Sequence, residues 1–208
     1  MIDKIRLISQ SAIKISSEKI IYFDPFKIDN NYNDADYIFI THSHYDHFSE
    51  EDLLKVKKES TKIIVTSDLV DKAKELGFVD VVVVEPNKKY NIDDITFETV
   101  PAYNIGKDFH KKEYNWVGYI INIDNTILYI AGDTDNIPEI RNINCDIAFV
   151  PVGGTYTMNY KEAAELIEEM KPKLAVPIHY KTVVGSVEDA NNFKKELDEK
   201  IDVKIIME

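Results

Sequence analysis

Short apolar runs separated by polar turns dominate the first part of the chain. Residues 4–9, 12–16 and 19–23 have the spacing of an antiparallel β-meander. Residues 36–40 form a further, mostly apolar run that ends at Thr41 and predicts a buried strand. Ser49, with Asp52 three residues later, is typical of a helix start. The pattern then predicts a strand at 62–66, a helix at 68–76 that ends at Gly77, and a strand at 79–84.

The second part of the chain has the same order of elements as the first. A β-rich segment comes first, and strands that alternate with helices follow. Strands are predicted at 95–100, 117–123 and 126–130, with a hairpin turn at Asp124-Asn125. A strand at 146–150, a helix at 160–170 after Asn159, a strand at 173–178, a helix at 187–200 after Ser186 and a strand at 203–207 follow. The repetition of the order predicts two similar halves, with the sheets packed together and helices outside.

The composition favours one soluble domain. With 208 residues, 44% of them hydrophobic, the chain can fill one core, so we expect a single domain over residues 1–208. No run reaches the apolar length of a membrane span, and the N-terminus lacks the apolar block of a secretory signal. We therefore expect a cytoplasmic protein without membrane insertion. Cys145 is the single cysteine, precedes a buried run, and is expected to be unreactive packing.

The net charge bears on the partners. A formal charge of -12 disfavours long nucleic acids, because a polyanion binder needs a basic surface to release counterions. A metal ion can still attract a small anionic group locally, so a small-molecule substrate remains compatible with the charge.

Residues 42–47, directly after the predicted strand 36–40, contain the largest cluster of histidine and carboxylate side chains in the sequence. Three of the five histidines and a carboxylate fall here: His42, His44, Asp46 and His47. Alternate residues of an extended segment point to the same side, so His42 and His44 can face one ion. Imidazoles and carboxylates crowded together lose solvation unless a cation uses them, so the cluster predicts metal binding.

Three further residues are candidates for the same chemistry. Asp133 and His179 each follow a predicted strand, and a carboxylate such as Asp133 can bridge two ions. Asp135 is a nearby competitor that we rank below Asp133. His110 lies in the long polar segment between Pro101 and Trp116, where it is either a ligand or a solvated loop residue. Asp24, after an early strand, either orients a ligand imidazole or is a turn residue.

The motif His42-Ser43-His44-Tyr45-Asp46-His47 resembles the His-x-His-x-Asp-His signature of the metallo-β-lactamase superfamily. The match continues in order through Gly132-Asp133-Thr134 to His179, and other segments look like the small Zn-dependent hydrolases of that superfamily. The resemblance implies an α/β fold, an αββα sandwich of two mixed β-sheets flanked by helices. It also implies that His42 and His44 bind a first ion, that Asp46, His47 and His179 bind a second, and that Asp133 bridges them.

Two positions depart from the resemblance. The first ion needs one more ligand from the loop after Pro101, where Asn104 is an early candidate and His110 a later one. We prefer His110, because no other histidine is left. Ser9-Gln10 stands where many relatives have Gly-His.

The implied chemistry is hydrolysis by a metal-bound hydroxide, acting on a small ester, amide, lactone or phosphodiester. Asp46 would orient or deprotonate the water, and Tyr156 or Tyr180 would donate to the developing oxyanion. The cofactor would be two divalent ions, with zinc favoured and manganese, iron, cobalt or nickel compatible with the same ligands. A nuclease and a non-catalytic metal-binding protein with an incomplete site are the alternatives.

Overall fold

β-Strands form two sheets in the described chain, residues 1–207 of a computed structural model. Two units divide it: Met1–Glu85 together with Met207, and Pro86–Ile206. Each unit contains one mixed β-sheet and two α-helices. None of the helices within residues 1–207 is long and apolar enough to span a membrane.

The first unit is built on a six-stranded sheet in which the strands follow in chain order. The first three strands pair antiparallel and the last three extend the sheet in parallel. The strands are β1 (Ile5–Ser9), β2 (Ala12–Ser16), β3 (Ile20–Phe23), β4 (Ala35–Phe39), β5 (Lys57–Thr66) and β6 (Asp80–Val84). The helices are α1 (Glu50–Val56) and α2 (Val70–Glu75).

Apolar side chains of this sheet pack against the helices. Leu53 of α1 and Ala73 of α2 belong to one buried cluster with Ile38 and Ile63 of the sheet. Ser49 caps α1 by accepting from the backbone N–H of Asp52, as its sequence predicts. Burial of these apolar side chains therefore fixes the position of β4 and of the residues that follow it.

The second unit has a seven-stranded sheet with the order β13-β12-β11-β10-β9-β8-β7. Its strands are β7 (Lys89–Ile92), β8 (Ile95–Pro101), β9 (Val117–Ile123), β10 (Thr126–Ile130), β11 (Ile147–Pro151), β12 (Leu174–Ile178) and β13 (Asp202–Val203). The helices are α3 (Tyr160–Met170), which contacts β11, and α4 (Val187–Glu196), which contacts β12. Asp124 and Asn125 both have positive φ, as the predicted two-residue hairpin requires.

These two mixed sheets with flanking helices confirm the predicted fold class, while the single-domain assignment stays a prediction. The boundaries differ in places. The helix predicted to reach residue 200 ends at Glu196, because Leu197 leaves helical geometry and Glu199 adopts a φ of 61°. The strand predicted at 203–207 shrinks to β13, and Met207 makes an isolated bridge to Leu7.

Three other elements differ from the sequence pattern. β5 begins at Lys57, earlier than predicted, because its polar first residues still pair with β4 across a register shift. β7 was not predicted, since Lys89–Ile92 is a polar edge strand without an apolar run. The helix predicted at 68–76 starts as a 3-10 turn over Ser67–Leu69 and becomes α2.

Candidate functional site

Parallel strands place the candidate residues of each unit at one sheet edge. In the first unit β3 and β4 are parallel neighbours, so Asp24, after β3, lies beside Thr41, after β4. In the second unit β10, β11 and β12 are parallel, and β8 runs the same way because it is antiparallel to β9 and β9 to β10. The loops that carry Asn104, Asp133 and His179 therefore leave from the same edge.

The predicted ligand motif forms a tight cluster in the first unit. Nε2 of His42 lies 3.1 Å from Nδ1 of His44, and the ring centroids of His42 and His47 are 3.9 Å apart. Nε2 of His47 lies 3.6 Å from Oδ2 of Asp46. His42, Asp46 and His47 are buried and His44 is half-buried, whereas Tyr45 between them is 66% exposed. A turn closed by the His47 N–H and the His44 carbonyl brings Asp46 and His47 back towards the strand end.

Asp24 orients two of these imidazoles. Its carboxylate accepts from the Thr41 N–H at 2.8 Å and the Thr41 hydroxyl at 2.7 Å, and Nδ1 of His47 lies 2.7 Å from it. Because the Thr41 hydroxyl donates to Asp24, its oxygen accepts from Nδ1 of His42 at 3.0 Å. Both His42 and His47 therefore carry their hydrogen on Nδ1, and Nε2 is the atom that each can offer to an ion. Of the two predicted roles for Asp24, the contacts match the orienting one.

Burial raises the pKa of the Asp24 carboxyl above its ordinary value. His47 and Thr41, which both donate to it, act in the opposite direction. The backbone of Asp24 has a φ of 43°, a conformation that side chains rarely adopt. Asp24 thus lies in a strained turn at the end of β3. Its side chain is fully buried and accepts hydrogen bonds from Thr41 and His47.

Gln10 contacts the cluster, although the sequence pattern does not predict this contact. It lies in the turn between β1 and β2, is fully buried, and its amide Nε2 donates to Oδ2 of Asp46 at 3.2 Å. In the sequence, Gln10 stands out only as part of Ser9-Gln10, where the chain departs from the resemblance. Gln10 stays neutral at every pH, so it holds one Asp46 oxygen without supplying a charge.

The second unit brings together the other three predicted ligands. Nε2 of His110 lies 3.3 Å from Oδ2 of Asp133, and Nε2 of His179 lies 3.0 Å from the same oxygen. All three side chains are buried. The predicted alternative that His110 is a solvated loop residue is excluded by its full burial.

The backbone around His179 is tightly packed and strained. His179 has a φ of 56°, and a Cβ added at Gly153 would overlap its carbonyl oxygen. A Cβ at Gly185 would in turn lie 2.8 Å from Cα of Gly153. Glycine is therefore required at both positions for the close approach of three backbone segments that fixes His179.

Asp135 and Asn104, the two lower-ranked candidates near this cluster, have other partners. Asp135 accepts from the Ile105 N–H, from Nδ2 of Asn104 and from Lys107, so it serves the loop after β8. Asn104 places its side-chain oxygen 2.9 Å from Nδ1 of His110. These contacts agree with the ranking of Asp133 above Asp135 and of His110 above Asn104, although the ligand roles themselves stay predictions.

The two predicted tyrosines differ in accessibility. Tyr180 follows His179 directly and is 2% exposed. Tyr156 is half-buried, and its ring stacks edge to face on Phe109 at 4.7 Å. Tyr156 is therefore the more accessible of the two candidate donors, and the role of each stays a prediction.

The donor chemistry of both clusters fits a bound cation. His47 and His110 each commit Nδ1 to an oxygen acceptor, Asp24 and Asn104 respectively. Nε2 of each ring then faces a carboxylate oxygen, at 3.6 Å from Asp46 and 3.3 Å from Asp133. When the ring is neutral, Nε2 and the carboxylate oxygen are both acceptors and repel unless a cation lies between them. Divalent metals bind this pair of ligand types.

Known proteins similar to the chain support this chemistry. The family model described as the beta-lactamase superfamily domain matches residues 4–179. A UPF0173 metal-dependent hydrolase of Thermococcus onnurineus is 31% identical over 216 residues, covering 98% of this chain and 96% of the relative. A solved structure from Parabacteroides distasonis, named as a metal-dependent hydrolase, has a TM-score of 0.82 at 30% identity and covers 98% of this chain and 93% of that one.

A second solved structure is similar in fold. Igni18, a metallo hydrolase of the archaeon Ignicoccus hospitalis, has a TM-score of 0.81 at 22% identity, with 98% of this chain and 94% of that chain covered. Since the family model covers most of the chain and a relative above 30% identity covers nearly all of it, the protein belongs to the β-lactamase superfamily, as its metallo-β-lactamase motif predicts.

Proposed function

We propose that the protein is a metal-dependent hydrolase that uses two divalent metal ions. In this proposal the buried and half-buried imidazoles and carboxylates of the two clusters are the ligands. His42, His44 and His110 would hold the first ion, and Asp46, His47 and His179 would hold the second. Asp133 would be a ligand shared by both.

One observation carries the proposal: Nδ1 of His47 and Nδ1 of His110 each lie within hydrogen-bond distance of an oxygen acceptor. Their Nδ1 hydrogens point to Asp24 and Asn104, so their Nε2 lone pairs point to carboxylate oxygens. A protein gains nothing from placing acceptors against acceptors in a buried position unless a cation is shared. The names of the relatives, metal-dependent hydrolases, support the same conclusion. Zinc is the favoured ion, since imidazole nitrogen and carboxylate oxygen are its ordinary ligands.

When bound, such ions lower the pKa of a coordinated water towards about 7 and polarise the substrate oxygen. The residues of the chain then orient water and substrate. Asp46 is the proposed proton acceptor for the attacking water, and Gln10 holds one of its oxygens so that the other can act. Tyr156, the more accessible tyrosine, is proposed to donate to the developing negative charge, with Tyr180 as the second candidate.

The proposed substrates are small esters, amides, lactones or phosphodiesters. The net charge of -12 opposes attraction of long nucleic acids. A small substrate with one carbonyl or phosphoryl group needs only the local charge of the ions. We place this activity in the cytoplasm.

The test combines metal analysis with a substrate screen on the full-length protein. We expect about two ions per chain and hydrolysis of at least one chromogenic ester, lactone or phosphodiester. Chelation should abolish hydrolysis and added zinc should restore it. Fewer than one ion per chain, together with no hydrolysis under any added divalent ion, would overturn the proposal. Two bound ions with no hydrolysis of any substrate would favour the non-catalytic alternative.

Two variants sharpen this test. His110→Ala should lower the occupancy of one ion only, because it removes a ligand proposed for the first ion alone. Asp133→Asn should lower the occupancy of both, since Asp133 is the proposed bridge. Asp108→Asn is the matched control, because Asp108 is exposed and lies in the same loop as His110. If His110→Ala leaves the metal content unchanged, His110 is not a ligand.

A further inference from the structure

A hydrogen-bonded network of three side chains lies behind His110. Nζ of Lys107 lies 2.6 Å from Oδ1 of Asp135 and 2.8 Å from the carbonyl of Thr157. The same Oδ1 accepts from Nδ2 of Asn104 at 3.2 Å. The side-chain oxygen of Asn104 then lies 2.9 Å from Nδ1 of His110. We call Lys107, Asp135 and Asn104 the loop network.

The direction of each hydrogen bond in the loop network follows from its chemistry. The Lys107 ammonium can only donate, and the Asp135 carboxylate can only accept. Nδ2 of Asn104 also donates to the carbonyl of Tyr156 at 2.9 Å, so two acceptors fix the amide with its NH₂ group on that side. The Asn104 oxygen must therefore face His110, and only Nδ1–H of His110 can complete the bond.

The network also ties the loop at its base. The backbone N–H of Asn104 donates to the carbonyl of His110 at 2.7 Å, which closes residues 104–110 into a loop. Oδ2 of Asp135 accepts from the Ile105 N–H at 2.8 Å. Asn104 and His110 are buried, whereas Lys107 is only partly buried, so a charge near the surface anchors the buried imidazole through two intermediates.

We propose that Lys107, Asp135 and Asn104 are positioning residues that hold His110 in the tautomer with its hydrogen on Nδ1. The lone pair of Nε2 is thereby directed to the position beside Asp133 Oδ2. The step from this tautomer to metal binding rests on the proposed function, in which His110 is a ligand of the first ion. Outer partners of ligand histidines act in this way, and their loss lowers metal affinity about 10- to 100-fold.

The first experiment measures the tautomer directly, in metal-free full-length protein. Long-range proton–nitrogen spectra of ¹⁵N-histidine, recorded about two pH units above the ordinary histidine pKa of about 6.5, distinguish Nδ1–H from Nε2–H rings. The His110→Gln variant assigns the signal. We expect wild-type His110 to be Nδ1–H, and Asn104→Leu, which has no acceptor, to shift the ring towards Nε2–H. An unchanged Nδ1–H signal in Asn104→Leu would overturn the proposal.

The second experiment tests the outer end of the network, where folding is least at risk. Lys107→Met should weaken zinc binding at one of the two sites by about 10-fold, measured by competition with a chromophoric chelator. Lys111→Met is the matched control, since it makes the same change of charge in the same loop. Lys107→Arg should recover most of the affinity, because a guanidinium can also donate to Asp135. Equal zinc binding by Lys107→Met and the control would exclude Lys107 from the positioning role.

The two experiments separate this inference from the proposed function. If wild-type protein binds no divalent ion and hydrolyses no substrate, but Asn104→Leu changes the His110 tautomer, the proposed function fails while the positioning role stands. If wild-type protein binds two zinc ions and the tautomer does not respond to Asn104, the positioning role fails alone. Circular dichroism of each variant confirms that the comparison is made on folded protein.

Discussion

Oδ2 of Asp24 lies 2.7 Å from Nδ1 of His47, and both side chains are fully buried. Asp24→Asn leaves one acceptor oxygen for three donors, so at least one buried donor loses its partner. We expect the free energy of unfolding of the metal-free protein to fall by about 1–3 kcal/mol. Zinc affinity should fall about 10- to 100-fold, because His47 is no longer oriented.

Urea unfolding and chelator competition measure these two effects. Asp29→Asn is the control, since Asp29 is exposed and its carboxylate accepts from the Tyr32 hydroxyl at the surface. The control should stay within about 0.5 kcal/mol of wild type. Wild-type zinc affinity in Asp24→Asn would show that Asp24 does not orient His47 for binding.

Gly153 offers a test of the strained His179 backbone. In Gly153→Ala the new Cβ overlaps the His179 carbonyl, so one of the two segments must move. We expect a loss of about 1–3 kcal/mol in the free energy of unfolding, with lower zinc occupancy. Gly106→Ala is the comparison, because a Cβ there meets nothing within 4 Å although φ is 71°. That variant should lose no more than about 1 kcal/mol and keep its zinc. Equal zinc loss in both would refute the specific role of Gly153.

Cys145 should resist thiol reagents in the folded protein. Burial, and then the charge of Asp146, raise the pKa of the Cys145 thiol to about 12, so the reactive thiolate is scarce at neutral pH. We expect a chromogenic disulfide reagent to modify Cys145 slowly in native protein and rapidly in urea. Because the thiolate becomes populated only as the pH rises towards that value, the native rate should increase with pH. Fast modification of native protein at neutral pH would contradict this.

Asp146 should contribute to stability in a pH-dependent way. A hydrogen bond from Lys173, and then one from the Ile127 N–H, lower the pKa of Asp146 below its ordinary value of 3.8. A lowered pKa stabilises the fold above the ordinary value, and this contribution is lost as the pH falls towards the lowered one. Asp146→Asn should therefore lose up to about 1 kcal/mol at neutral pH.

Urea unfolding at several pH values tests the sign. The difference between Asp146→Asn and wild type should shrink as the pH falls below 3.8. Asp108→Asn, at an exposed site, controls for the change in net charge. A difference that grows towards acid pH would show that the Lys173 contact does not lower the pKa.

The sequence is most informative where residues that act together are close in the chain or follow strands. His42, His44, Asp46 and His47 are found because they are neighbours, and Asp133 and His179 because parallel strands bring their ends to one edge. The start of the helix Tyr160–Met170 is predicted because Asn159 precedes it as an N-cap, and in the structure Asn159 forms a capping box with Glu162.

The residues that the sequence does not reveal act through loop conformation. Lys107 and Asp135 are far apart in the chain, and only the closed loop after β8 brings the ammonium to the carboxylate. Gln10 has a φ of 47°, and from this conformation its amide reaches Asp46. No local sequence pattern indicates that backbone conformation. Such contacts depend on backbone conformations that the periodicity of apolar residues does not encode.

The hydrogen bond from the Asn104 N–H to the His110 carbonyl divides the loop after β8 into two parts. Asn104 and His110 form the base, and residues 105–109 form the tip. The base carries His110, whereas the tip exposes Ile105 and Phe109, which are 59% and 45% accessible. Because the base is closed by its own hydrogen bonds and by Lys107, the exposed side chains of Ile105 and Phe109 can change without moving the imidazole. In the proposed hydrolase, exchange of these few surface residues would change the substrate preference while His110 and its hydrogen bonds are kept.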